Sequence, residues 1–103
     1  MKTIWAPQAK ESLRQIAKYI QSDFGSKARK NFINEVRKRE TLLKSNPNIG
    51  MIDPLFAHRQ PTYRSVIING LNKMVYYVEN NTIYIAAFWD TRREPNAQVE
   101  LIP

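Results

Sequence analysis

The sequence predicts an α+β domain of order β-α-α-β-β-β, an N-terminal helical hairpin packed on a small antiparallel sheet. Three observations predict it. Apolar residues of the first half recur at helical spacing, and those of the second half switch to runs rich in Val, Ile, Tyr and Phe. Short turn-forming pairs separate those runs. With 103 residues, 43% of them hydrophobic, the chain can close one modest core. No linker or repeat divides it, so residues 1–103 read as one domain.

Lys2–Trp5 is a short strand candidate. Pro7 suits a first helical position, where its missing N–H costs nothing. Leu13, Ile16, Ala17, Ile20 and Phe24 then mark one face of a 3.6-residue helix. Gly25 ends that helix, and Ser26 suits the N-cap of the next. Ala28, Phe32, Val36 and Leu43, flanked by Ile33 and Leu42, form the second stripe, broken at Ser45-Asn46-Pro47-Asn48. The short link makes the helices an antiparallel hairpin. Residues 48–62, with Pro54 and Pro61 and few periodic apolar positions, read as a connecting loop. Tyr63–Ile68, Lys73–Glu79 and Thr82–Trp89 are the remaining strands. Asn69-Gly70 and Asn80-Asn81 between them tolerate positive φ and suit tight hairpin turns.

The composition excludes several chemistries. No run approaches the ~18 apolar residues of a membrane span. The opening MKTIWAPQAK has one Lys and no apolar stretch behind it, which argues against a secretory signal and for the cytoplasm. With no Cys there is no disulfide, thiol nucleophile or cysteine zinc site. His58 alone makes no His cluster for a metal, and glycines at 25, 50 and 70 make no phosphate-binding loop. No cofactor or metal is expected. The net charge of +7 is unevenly placed. From Gln8 to Ser45 ten basic side chains face four acidic ones, whereas from Asn46 onward five face five. The surplus lies on the helical hairpin.

Ala9, Leu13, Ile16, Tyr19 and Ile20, then Ala28, Leu43, Pro47-x2-Gly50, Arg64, Val75-Tyr76 and the closing Phe88-Trp89-Asp90-Thr91-Arg92-Arg93-Glu94-Pro95 together resemble the RelE/ParE superfamily of bacterial type II toxins. The resemblance implies the toxin fold, a small cytoplasmic toxin, and a cognate antitoxin from the same operon that neutralises it. The superfamily holds two activities. RelE-like members enter the ribosomal A site and cleave mRNA without a metal, by attack of a ribose 2′-OH on the adjacent phosphate. That reaction needs a base, a cation for the developing phosphorane charge and an acid for the leaving oxygen. ParE-like members poison DNA gyrase and need none of that set.

Matched to the nuclease pattern, Arg64 falls at a basic sheet position, Lys73 at a phosphate-binding Arg, and Arg92 or Arg93 at the Arg after the last strand. Val66 stands where a further basic residue is expected. The tail Glu94–Pro103 has no Tyr, His, Lys or Arg for the late acid. Tyr63 or Tyr77 substitutes only if its hydroxyl faces the same surface. This incomplete set favours the ParE-like branch, with RelE-like endoribonuclease as the alternative. A plain nucleic-acid-binding domain ranks third, because the basic helices lack interleaved aromatic residues.

Structural roles compete for each residue. Arg64 and Lys73 also suit a salt-bridged or solvated sheet surface, and Arg92 and Arg93 also suit pairing with Asp90 or Glu94. Trp89 fits a core rim, and Tyr76 and Tyr77 point to opposite faces, so one of them packs. The expected antitoxin is acidic and partly disordered when free, and lays a helix and an extended segment on the toxin. Ile49, Met51, Ile52, Leu55 and Phe56 are candidate contacts for it, or else a plug for the end of the core.

Overall fold

The first helix begins at Pro7, and Gly25 ends it at φ +94°, a backbone state that suits glycine. In the computed structural model, which describes residues 1–103, β1 (Lys2–Trp5) leads into α1 (Pro7–Phe24) and α2 (Ser26–Ser45). Then come β2 (Met51–Ile52), a 3-10 turn (Pro54–Phe56), β3 (Arg64–Ile68), β4 (Asn72–Glu79), β5 (Thr82–Asp90) and α3 (Pro95–Leu101). Ser26 starts α2 as its first helical residue and makes no side-chain cap bond; Gly25 occupies the cap.

The sheet has the order β1-β5-β4-β3-β2. β2 to β5 pair antiparallel, as their short connections require. Their tight turns put Asn69, Gly70, Asn80 and Asn81 at positive φ, as expected. β1 joins β5 in parallel, with Ile4 opposite Tyr84, so the sheet is mixed. The hairpin between β1 and β5's neighbours is the crossover that a parallel pair needs. Three elements escape the sequence reading: β2 and the 3-10 turn occupy the expected loop, and α3 occupies the tail.

The two faces of the sheet bury different clusters. On one face Ile68, Met74, Tyr76, Ile83, Ile85 and Phe88 pack against Ala9, Ile20, Phe32, Val36 and Leu43 of the hairpin. Trp5 stacks on Phe88 at 5.3 Å between ring centroids. The Ser12 hydroxyl accepts the Phe88 N–H at 3.0 Å and so ties α1 to β5. On the other face a smaller cluster of Phe56, Tyr63, Val75, Ala86, Ala87 and Ile102 forms under the 3-10 turn and the C-terminus. Arg59 closes that end by donating to the Val99 carbonyl at 3.0 Å and the Ile102 carbonyl at 2.6 Å. Phe24 departs from its expected core face: as the last residue of α1, next to the Gly25 cap, it is 68% exposed.

Candidate functional site

Pro47, Gly50, Arg64 and Tyr76 meet at one point, where α2 hands the chain to the sheet. The Tyr76 hydroxyl donates to the Pro47 carbonyl at 2.8 Å and accepts the Gly50 N–H at 2.9 Å. Arg64 donates to the Gly50 carbonyl at 2.8 Å. A Cβ on Gly50 would lie 2.7 Å from the Tyr76 hydroxyl and 2.9 Å from the Ser65 carbonyl oxygen, so only glycine fits. Burial pushes the Tyr76 hydroxyl above its usual value, partly offset by the Gly50 bond and the Arg64 charge. The Tyr76 hydroxyl and the Gly50 N–H and carbonyl of this lock are all used within the fold.

Lys73 lies on the opposite face of the sheet from Arg64. Arg64 pairs across to Tyr76 of the helix-side core, while Lys73 is one residue from Met74 of that same core. Pleat alternation therefore separates the two cations. Lys73 Nζ sits 2.5 Å from Asp53 Oδ2, and both side chains are largely buried. Asp53 also accepts the Leu55 N–H at 3.0 Å and caps the 3-10 turn. Tyr77 shares the outer face with Lys73, four residues or about 13 Å along the strand. Its ring is packed between Tyr63 and Tyr84, with centroids 5.3 and 4.8 Å away. Burial first, and then the neighbouring Tyr63, push the pKa of its hydroxyl above the usual value, making it a weaker proton donor.

Arg92 and Arg93 stand beyond the end of β5. Arg92 forms a two-pronged pair with Asp90, at 3.0 and 2.7 Å, which holds the carboxyl below its usual range and raises the guanidinium. Arg93 lies over the Trp89 ring, 4.5 Å from a ring centroid. The five nuclease candidates are thus spread over two sheet faces and one strand end, and four of them are held by intramolecular partners. No three His, Asp or Glu side chains gather where they would ligate a metal.

The antitoxin candidates also divide. Phe56 is core and Leu55 packs against it, filling the smaller cluster. Ile49, Met51 and Ile52 remain exposed along the β2 edge.

Sequence reasoning missed a larger feature. A groove of about 940 Å³ runs between α1 and the segment from β5 to α3. Ile16, Tyr19, Ile20 and Phe24 line it from α1, Leu71 from the β3–β4 turn, and Phe88, Trp89 and Leu101 from the far side. Its signals were in the chain. Tyr19 and Phe24 are aromatic residues in the last two turns of α1, and Glu94-Pro95 is a helix start whose carboxylate accepts the Asn96 N–H.

The family profile described as "ParE toxin of type II toxin-antitoxin system, parDE" matches residues 3–95. Comparison with curated proteins yields no match. Among solved structures, one described as "Chromosomal ParDE TA system from P. aeruginosa" superposes with a TM-score of 0.69 at 16% identity, over 87% of this chain and 95% of that one. That likeness carries the fold. The profile match spans nearly the whole chain, from β1 to the start of α3, and on it the chain belongs to the ParE family of type II toxins.

Proposed function

We propose that this toxin acts in the cytoplasm by binding and poisoning DNA gyrase, without chemistry of its own, and that a cognate acidic antitoxin neutralises it. The observation that carries this reading is the dispersal of the nuclease candidates. In-line attack on a phosphate needs base, cation and acid within hydrogen-bond reach of one reacting centre. Here Arg64 and Lys73 are on opposite faces, Lys73 is neutralised by Asp53, and the Tyr77 hydroxyl is a weakened acid. The basic hairpin supports the partner: a surplus of positive charge, remote from Lys73 and Tyr77, steers an acidic chain toward it.

The test pairs two assays of the purified chain. Gyrase supercoiling should fall in its presence, while mRNA on programmed ribosomes stays intact. Codon-position cuts with untouched gyrase would replace this reading with the endoribonuclease one. In cells, expression of the chain alone should arrest growth, and co-expression of the adjacent gene should relieve the arrest.

A further inference from the structure

The solvent face of α2 has a composition that helix stability does not explain. At ~100° per residue, Lys27, Lys30, Arg37, Lys38 and Lys44 fall within about 140° of the helix circumference. Asn31, Asn34 and Thr41 share that arc, with Ser26 and Ser45 at the two ends of the helix. No acidic and no apolar side chain enters it. All five cations are exposed, and only Lys38 reaches a carboxylate, that of Glu35 at 3.3 Å. A solvated face normally mixes the two signs, and i,i+4 pairs then support the helix. The first turn is more telling still. It holds Lys27 and Arg29 and no acid, so positive charge sits against the positive end of the helix dipole. The strand half behaves differently, since Lys73 and Arg92 are each bound to an aspartate.

The arrangement of the charges narrows the partner. From Lys27 to Lys44 the face runs about 26 Å at ~1.5 Å per residue. Lys30, Arg37 and Lys44 follow one flank, Lys27 and Lys38 hold the other, and Asn34 and Thr41 lie between the two rows. Duplex DNA offers the complement: two phosphate strands bordering a major groove ~12 Å wide, which admits a helix. Cations with interleaved amide and hydroxyl donors are the side chains that contact phosphate. A protein partner would be anchored by buried aromatic and apolar side chains, and this face has none. Single strands need aromatic platforms for stacking, which are likewise missing. The deep, narrow major groove of an RNA duplex does not admit a helix.

We infer that α2 docks lengthwise on duplex DNA, its two cation rows on the phosphates of the two strands and Asn34 and Thr41 toward the groove between them. Contacts of this kind go to the backbone, so the binding is independent of sequence and strongly weakened by salt. The charge that draws an acidic chain toward the hairpin from afar is, on α2, arranged for a second polyanion. The inference goes beyond the gyrase reading and does not rest on it. The two agree, because a toxin bound to duplex DNA is already on the substrate of gyrase.

The test is fluorescence anisotropy of a labelled duplex of ~20 base pairs, well beyond the ~8 that the face covers at ~3.4 Å each, titrated with the full chain. Five phosphate contacts predict a slope of about −4.5 for log affinity against log salt, at ~0.9 per contact. Lys30→Gln/Arg37→Gln/Lys44→Gln should bring that slope to about −1.8 and weaken binding at ~50 mM salt by roughly a hundredfold or more. Lys2→Gln/Lys10→Gln/Lys18→Gln removes the same charge from exposed positions on β1 and α1 and should leave the slope near that of the parent chain. Lys27→Glu separates docking from folding. It should raise the melting temperature, by placing an acid in the first turn of α2, while weakening DNA binding. Equal loss in both triple variants overturns the inference in favour of net charge alone. An RNA duplex of the same sequence that binds as tightly overturns it in favour of phosphate chains generally. Polyglutamate that displaces the DNA at equal charge concentration overturns it in favour of an acidic protein. Gyrase inhibition by a chain that does not bind the duplex ends this inference and leaves the gyrase reading standing. Duplex binding without inhibition does the reverse.

Discussion

Two regions join the helices to the sheet, and they are finished to different degrees. At the Pro47–Gly50 lock the Tyr76 hydroxyl both donates and accepts, Arg64 donates to the Gly50 carbonyl, and the space beside Gly50 is filled by Tyr76. At the α1–α3 groove, apolar side chains face water and two buried polar atoms stand unmatched. The difference teaches where to look for function in this family member. Residues that look chemical in the sequence, Arg64 and Tyr76 among them, are consumed in holding the hairpin on the sheet. The surface with unspent bonding capacity is one that no single residue type announces.

If that contrast is right, changes on the closed side should act through folding. The largest effect should come from Asp53→Ala, which strands the Lys73 ammonium in a largely buried site and removes the cap of the 3-10 turn. Breaking a buried pair from one side costs about 3–5 kcal/mol, to be read as a shift of the urea midpoint. Adding Lys73→Met should recover part of it, because the uncompensated charge is then gone. Gly50→Ala comes next: the methyl group meets the Tyr76 hydroxyl and the Ser65 backbone, for about 1–3 kcal/mol of overpacking. Tyr76→Phe leaves the buried Gly50 N–H without its acceptor, at a similar cost of about 1–3 kcal/mol. Arg64→Met sharpens the comparison, since toxicity per folded molecule should persist. Loss of toxicity at unchanged stability would return Arg64 to a catalytic role.

The lock should also show in the alkaline limb of stability. Tyr76 has a folded pKa above its unfolded value near 10.0. Its contribution is therefore complete below that value and is lost as pH rises through the folded pKa. Tyr77 shifts in the same direction and adds to the same window. Thermal melts should steepen their decline above pH 10, and Tyr76→Phe should flatten it.

How far the sequence reaches depends on what sets each element. α1, α2 and β3–β5 are legible because local rules agree there: Pro7 opens, Gly25 closes, and asparagines make the turns. β2 is two residues long and is a strand only because β3 pairs with it, so no periodicity can declare it. α3 is only seven residues long, and its end is held from afar by Arg59. The parallel partnership of β1 with β5 likewise needs the crossover in three dimensions. The site divides the same way. Residue type flags Arg64, Lys73 and Arg92, but pleat and partner decide their use, and neither is written at those positions. Phe24 carries the opposite lesson. At helical spacing it reads as core, yet its ring stands 68% exposed in the last turn of α1.

The smallest expected effect on stability is at Phe24 itself. At 68% exposure its ring gains little from the fold beyond the edge contact with Tyr19 at 6.4 Å. Exposed substitutions away from special features stay within about 0.5 kcal/mol, so Phe24→Ser should melt and unfold like the parent chain. Its solubility should improve, because the apolar patch shrinks. A drop well beyond that range would mean that the ring closes the core in solution and that the groove is shallower than described. A silent melt separates the two regions cleanly, since every lock variant should weaken the fold.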